Sequence, residues 1–247
     1  MYYEKFGIEY NPTIIFLHGE ESVYCFSKQC EYLGRNYCAI VPHLPGFGRN
    51  VGHTFSTELA VEQITELAAS FGKPVTLVGY SIGATLMLPL MCKHGELFNG
   101  YVMVNPWLIK ETGDVEKALN RLNDKEKAMK NKFLTGINSL TMGLGKDERR
   151  DYGEFCKNID INSLAAAVDN GIKLDDYPEY ADVDKPIVAL CSLKESMEVR
   201  KSVRALSTQN PNCTYDMWDS SSSNLPLKCA SRLNKVIEEL VDKVNIK

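Results

Sequence analysis

The residues best suited to chemistry in this chain lie between Val75 and Leu86, where Gly79, Ser81 and Gly83 fill the pattern Gly-x-Ser-x-Gly. Val75-Thr76-Leu77-Val78 reads as an apolar, β-branched strand and Ile82 onward as a helix, so Ser81 falls in the tight turn between them. Such a turn strains the serine backbone and needs glycine on both sides for clearance. Ser81 would then project its hydroxyl from the sheet edge, with the backbone N–H of Ile82 aimed at any oxyanion formed beside it. A chain of this length meets the bare pattern by chance on the order of one time in ten, so the flanking strand and helix carry the reading. A serine hydroxyl is a poor nucleophile until a base takes its proton and a third group orients that base. The histidines are His18, His43, His53 and His94, and none follows His94.

The elements that must position Ser81 are legible from apolar runs. Residues before Thr13 supply one short strand around Tyr2 to Ile8, and Thr13-Ile14-Ile15-Phe16-Leu17 reads as a strand buried on both faces. A helix is predicted from Glu21 to about Leu33, then a strand over Tyr37 to Val41, closed by Pro42 to Gly48. An amphipathic helix follows from Ser56 to Phe71, then the Val75 strand, and a helix after Ser81 that reaches about His94 and bends near Pro89. Tyr101 to Val104 is the next strand. From about Leu108 to Val183 the pattern offers only helices, at Val115–Leu134, Asp147–Cys156 and Ile161–Gly171. Strands resume at Pro186–Cys191 and Cys213–Trp218, separated by a helix near Glu198–Ser207, and Leu227–Val244 closes the chain as a helix. Alternation at this spacing predicts an α/β fold with a doubly wound, mostly parallel sheet. The domain expectation is a core of residues 1–107 and 184–247 with residues 108–183 inserted as a helical cap.

The totals restrict the function classes. In 247 residues, 44% are hydrophobic and 24% charged, ordinary values for one large α/β domain. A formal charge of −4 argues against a nucleic-acid or anionic-membrane partner. Eight cysteines are scattered without a Cys-x-x-Cys pair, which reads as free thiols rather than a metal site or disulfide framework. Met1-Tyr2-Tyr3-Glu4-Lys5 lacks the order of a signal peptide and no run is long enough to span a bilayer, so the expected location is cytoplasmic.

The order of motifs resembles the α/β-hydrolase family over nearly the whole chain. His18-Gly19 after a strand resembles its oxyanion loop, Leu44-Pro45-Gly46-Phe47-Gly48 its Pro-Gly-x-Gly turn, and Gly79-Tyr80-Ser81-Ile82-Gly83 its nucleophile elbow. The resemblance implies a site at the carboxyl ends of the strands under the cap, nucleophilic acyl chemistry at Ser81, and no cofactor or metal. It also implies an oxyanion hole from the backbone N–H groups of Glu20 and Ile82. A carboxylate aimed inward would oppose an oxyanion, so the Glu20 side chain is expected to face solvent. Glu195 stands where the family places its acid, or is merely a first-turn acid of the helix that follows. Asn224, aligned on Pro226, stands at the family's histidine position, and an amide is no base near neutral pH. The same asparagine is well explained as a helix cap. His18 is the nearest alternative base, although a histidine there is commonly structural; His43 and His53 lie on loops at the same edge, and His94 at the wrong end of its helix. Asp175-Asp176 and the Lys125–Lys132 stretch read as solvated faces, and Trp107 and Trp218 as core.

Two functions remain open on this reading. One is a serine hydrolase of a small carboxylic ester or thioester with an unconventional base. The other is a catalytically impaired hydrolase-fold protein that binds a small ligand under the cap. The partners expected are a small acyl substrate or ligand, with no nucleic acid and no membrane.

Overall fold

Short runs of β-branched and aromatic residues place seven strands in one sheet: β1 (Tyr3–Phe6), β2 (Thr13–Leu17), β3 (Cys38–Pro42), β4 (Val75–Tyr80), β5 (Phe98–Val104), β6 (Ile187–Ser192) and β7 (Cys213–Trp218). The computed structural model describes residues 1–20, 22–141 and 144–245. The strand order is β1-β3-β2-β4-β5-β6-β7, with β1 antiparallel to β3 and every other pairing parallel. Parallel neighbours require crossovers, which bury both faces of the sheet. Accordingly Ile15, Leu17, Val75 and Leu77 enter one core, while Ile14, Phe16, Val78 and Tyr80 enter the other.

Helices α1 (Ser27–Leu33), α2 (Thr57–Ser70) and α3 (Ile82–Lys93) connect the first strands. The helix predicted from Glu21 begins only at Ser27; Glu21 itself lies outside the described residues. Local hydrogen bonds replace the first turns, with Ser22 Oγ accepting from the Tyr24 N–H at 3.0 Å and Gly19 bridging Ser22. Ser56 caps α2 by accepting from the Leu59 N–H at 3.2 Å.

Between β5 and β6 lie α4 (Asp114–Asn120), α5 (Leu122–Lys130), α6 (Lys132–Thr141), α7 (Lys146–Lys157) and α8 (Ile161–Val168), followed by two short 3₁₀ turns. The single helix predicted over Val115–Leu134 is instead three, broken at Arg121 and Asn131. At the second break Asn131 turns extended, and its Oδ1 accepts from the Phe133 and Leu134 N–H groups, as an N-cap does. After β6 come α9 (Met197–Gln209), then β7, α10 (Leu225–Lys228) and α11 (Ala230–Asn245). The closing helix is therefore interrupted at Cys229, and α11 buries Leu233, Ile237, Leu240 and Val241 against the sheet. No helix of the described residues is long and apolar enough to cross a membrane.

Candidate active site

Ser81 sits between β4 and α3 with φ 53° and ψ −117°, a region that costs a residue with a side chain about 1–3 kcal/mol. Its backbone holds that geometry: the Ser81 N–H donates to the Val104 carbonyl at 2.9 Å, and the Ser81 carbonyl accepts from the Thr85 N–H at 2.9 Å. The flanking glycines allow the close approach. A Cβ at Gly79 would stand 2.6 Å from the Gly83 carbonyl oxygen, and one at Gly83 would stand 2.0 Å from that of Leu17. Helix α3 is thereby pressed onto the end of β2, next to the loop carrying Gly19 and Glu20.

The loop does not present Glu20 as expected. Its carboxylate turns inward: Ser81 Oγ donates to Glu20 Oε2 at 2.8 Å, and Lys125 Nζ from α5 pairs with Glu20 Oε1 at 3.2 Å. The Glu20 backbone N–H, the group anticipated as an oxyanion donor, also favours the charged form. Burial alone would raise the Glu20 pKa, but the charge of Lys125 and the three hydrogen bonds together hold it below the usual glutamate value. The outward orientation fails because the α5 cation offers a desolvated carboxylate a partner inside. Lys125, read from the sequence as part of a solvated face, is that partner.

Above this group lies a cavity of about 320 Å³. Ser81, Ile82 and Thr85 form its sheet side, Trp107 one wall, and Arg121, Lys125 of α5 and Asn170 part of its cover. Trp107 thus borders the cavity, whereas Trp218 is buried core, under the Arg232 guanidinium. Beside the cavity Lys110 lies 5.2 Å over the Trp107 ring and donates to Asn170 Oδ1 at 2.8 Å; burial lowers its pKa to about 8.

The remaining predicted residues are held elsewhere. Glu195 Oε1 accepts from Asn105 Nδ2 at 2.7 Å. Asn105 itself has φ 54°, also donates to the Ser223 carbonyl at 2.9 Å, and accepts from the Ser192 N–H at 3.3 Å. It ties the ends of β5 and β6 to the loop before α10, and sequence reasoning missed it. The signal was an asparagine directly after a buried strand, a residue type that tolerates left-handed backbone. Asn224 caps α10, its Oδ1 accepting from the Leu227 N–H at 3.4 Å. Neither Glu195 nor Asn224 borders the cavity.

His18 cannot serve as a base as placed. Its Nδ1 lies 2.8 Å from the Gly19 carbonyl and must carry the proton, while Nε2 accepts from the Leu44 N–H at 3.0 Å. Both nitrogens are thus committed to joining the loop after β2 to the turn after β3. Burial lowers its pKa to about 3. His43 is likewise buried, its Nδ1 accepting from the Arg49 N–H at 2.8 Å, and His53 is exposed. His94 follows the last turn of α3, at the end away from Ser81. No histidine borders the cavity among the described residues. No disulfide links the cysteines, and no cluster of three metal-binding side chains occurs, among the described residues.

The neutral His18 has a measurable consequence. The unfolded chain takes up a proton at this residue below about pH 6.5, and the folded one only near 3. In that window the unfolded state holds more protons, so stability is full above the window and falls with pH by up to about 1.4 kcal/mol per unit. Urea denaturation between about pH 6 and pH 5 should show this loss, and His18→Gln should flatten it. Equal slopes in both proteins would contradict a neutral, buried His18.

Comparison with known proteins places the fold. Residues 14–221 match the alpha/beta hydrolase family. This chain belongs to that family. No curated protein matches it in sequence. Among solved structures, MenH from S. aureus superposes with a TM-score of 0.75 at 15% identity, covering 99% of both chains. The malate-bound thermophilic esterase from Thermogutta terrifontis gives 0.72 at 16% identity, covering 99% of this chain and 94% of that one. The enol-lactonase from Burkholderia xenovorans LB400 gives 0.75 at 13%, covering 97% and 95%. At these identities the likeness is one of fold, and the site must be read from its own residues.

Proposed function

We propose that this hydrolase-family protein holds a small carboxylic ester or thioester, or a ligand of that size, against Ser81 beneath a cap of residues 108–183, and turns it over only slowly. The observation that carries this reading is the Ser81 hydroxyl donated to a Glu20 carboxylate that is itself ion-paired to Lys125. Three features oppose turnover. The nucleophile's proton faces a carboxylate held below its ordinary pKa, and a carboxylate even at its ordinary pKa is a weaker base than imidazole. A negative charge stands beside Ser81, where the oxyanion would develop. Finally, Asn224 stands at the position assigned to the base, where its amide caps a helix. The cavity itself is ligand-sized and mixed in character, with Trp107, Leu122 and Val168 offering apolar contact and Thr85, Arg121 and Asn170 polar contact.

The expected result with short-chain p-nitrophenyl esters and acyl thioesters is saturable binding, read as a rise in melting temperature, with turnover at least about a hundredfold below the ordinary enzyme range of 1–10³ per second. Turnover within that range, abolished by Ser81→Ala, would overturn the reading.

The same hydrogen bond favours a second reading, in which Glu20 is the proton acceptor of a Ser–Glu pair and the protein is a slow hydrolase. The two differ in sign at one position. Removing the Glu20 carboxylate should speed reaction at Ser81 if it obstructs, and slow it if it is the base.

A further inference from the structure

Helix α6 is built inside out. Its polar residues Thr135 and Ser139 are 7% and 3% exposed, while Phe133, Ile137 and Leu140 are 74%, 46% and 62% exposed, and Leu134 is 42% exposed. The buried hydroxyls are satisfied locally, Thr135 Oγ1 by the Met129 and Asn131 carbonyls and Ser139 Oγ by the Gly136 carbonyl. An amphipathic helix on a water-facing surface has the opposite arrangement. Phe133, Ile137 and Leu140 follow i, i+4, i+7 spacing and so form one outward stripe.

The surroundings of that stripe are cationic. Between α6 and α7 runs a groove of about 550 Å³ whose lining carries Lys130, Lys132, Arg149, Arg150 and Lys157 against the single acid Glu154. Lys130 pairs with Glu126, Arg150 with Asp147 and Asp151, and Lys157 with Glu154. Lys132 and Arg149 have no ion-pair partner among the described residues. Beside the exposed stripe, Lys132 and Arg149 are therefore cations not offset by an ion pair among the described residues.

Charge selects among the occupants such a face could take. A second copy of this chain, meeting it about a two-fold axis, would set the same cations against one another. A neutral apolar partner would leave Lys132 and Arg149 to be desolvated without compensation. A surface that offers acyl chains beneath a layer of negative headgroups satisfies both halves of the pattern. We propose that the α6–α7 face docks on an anionic lipid bilayer, with Phe133, Ile137 and Leu140 at the acyl boundary and Lys132 and Arg149 against the headgroups. The whole-chain balance pointed away from any membrane, but binding at this range is set by the charge within about a Debye length of the surface, not by the total. The face also adjoins the candidate active site. A cavity of about 240 Å³ bordered by Lys125, Met129, Leu134 and Thr135 lies between them, and Lys125 borders the Ser81 cavity as well.

The test is co-sedimentation of the full chain with vesicles of phosphatidylcholine alone and of phosphatidylcholine with about one third phosphatidylserine. Binding is expected to the mixed vesicles only, and to weaken steeply with added salt. Phe133→Ser with Ile137→Ser, and separately Lys132→Glu with Arg149→Glu, should each lower partitioning by at least about tenfold. All four side chains are exposed, and unchanged circular dichroism and melting temperature establish that the variants are folded. Absence of binding by the wild type, equal binding to both vesicles, or binding unaffected by the variants would overturn the proposal. So would concentration-dependent dimerisation of the wild type that Phe133→Ser with Ile137→Ser abolishes, which would assign the face to a second copy.

Discussion

Glu20→Ala is expected to raise the second-order rate of fluorophosphonate capture at Ser81 by about a hundredfold, the order by which a single oxyanion donor changes acyl chemistry. Three changes act together. On the proposed function, the negative charge leaves the place where the phosphoryl oxygen gathers charge, the Ser81 hydroxyl is released from the carboxylate, and the Glu20–Lys125 ion pair is lost. Burial magnifies each of these, because charges separated by a few ångströms interact several-fold more strongly in a protein than in water. Glu20→Gln should give a smaller increase, since it removes the charge but can still fill the space. The measurement is the rate of mass gain by intact-protein mass spectrometry, with Glu20→Ala/Ser81→Ala as the control that must not label. A fall in rate in both Glu20 variants would assign the carboxylate the role of base.

Gly83→Ala is expected to destabilise the fold by about 3–4 kcal/mol, lowering the melting temperature by about 10 °C for a chain of this size. The added methyl would lie 2.0 Å from the Leu17 carbonyl oxygen and 2.7 Å from that of His18, and both are backbone atoms of a central strand and its exit. Relief would require moving α3 off β2, which separates Ser81 from the oxyanion loop. The same substitution at Gly136 or Gly153, where an added Cβ meets nothing within 4 Å, should be neutral or slightly stabilising, because alanine is the better helix former. Thermal unfolding of the three variants checks the contrast, and a Gly83→Ala protein as stable as the wild type would refute the close-packed elbow.

How far the sequence reaches can be followed residue by residue. Strands were legible because β2 and β4 are short runs of apolar and β-branched residues, as strands covered on both faces must be. The elbow was legible because its geometry needs glycine twice within five residues. The start of α1 was not, since Val23, Phe26, Cys30 and Leu33 keep helical spacing through a stretch that local hydrogen bonds at Ser22 fold as turns. The breaks at Arg121 and Asn131 lack glycine or proline, and only the capping tendency of Asn131 marked one of them. The site was legible in part. Ser81 follows from a local pattern, but its partner Glu20 is paired with Lys125, 105 residues on, within a run of charges that nothing local distinguishes from a solvated face. Asn105 and Glu195 likewise meet only because β5 and β6 are neighbours. Local chemistry is written locally; the neutralisation of a carboxylate is written in the fold.

The central claim is that Ser81 is present, reachable and restrained by Glu20. The wild-type arm of the fluorophosphonate experiment tests it most directly. The account predicts slow, single-site labelling at Ser81 that is absent from Ser81→Ala and accelerated by Glu20→Ala. Rapid labelling of the wild type that Glu20→Ala does not accelerate would contradict it.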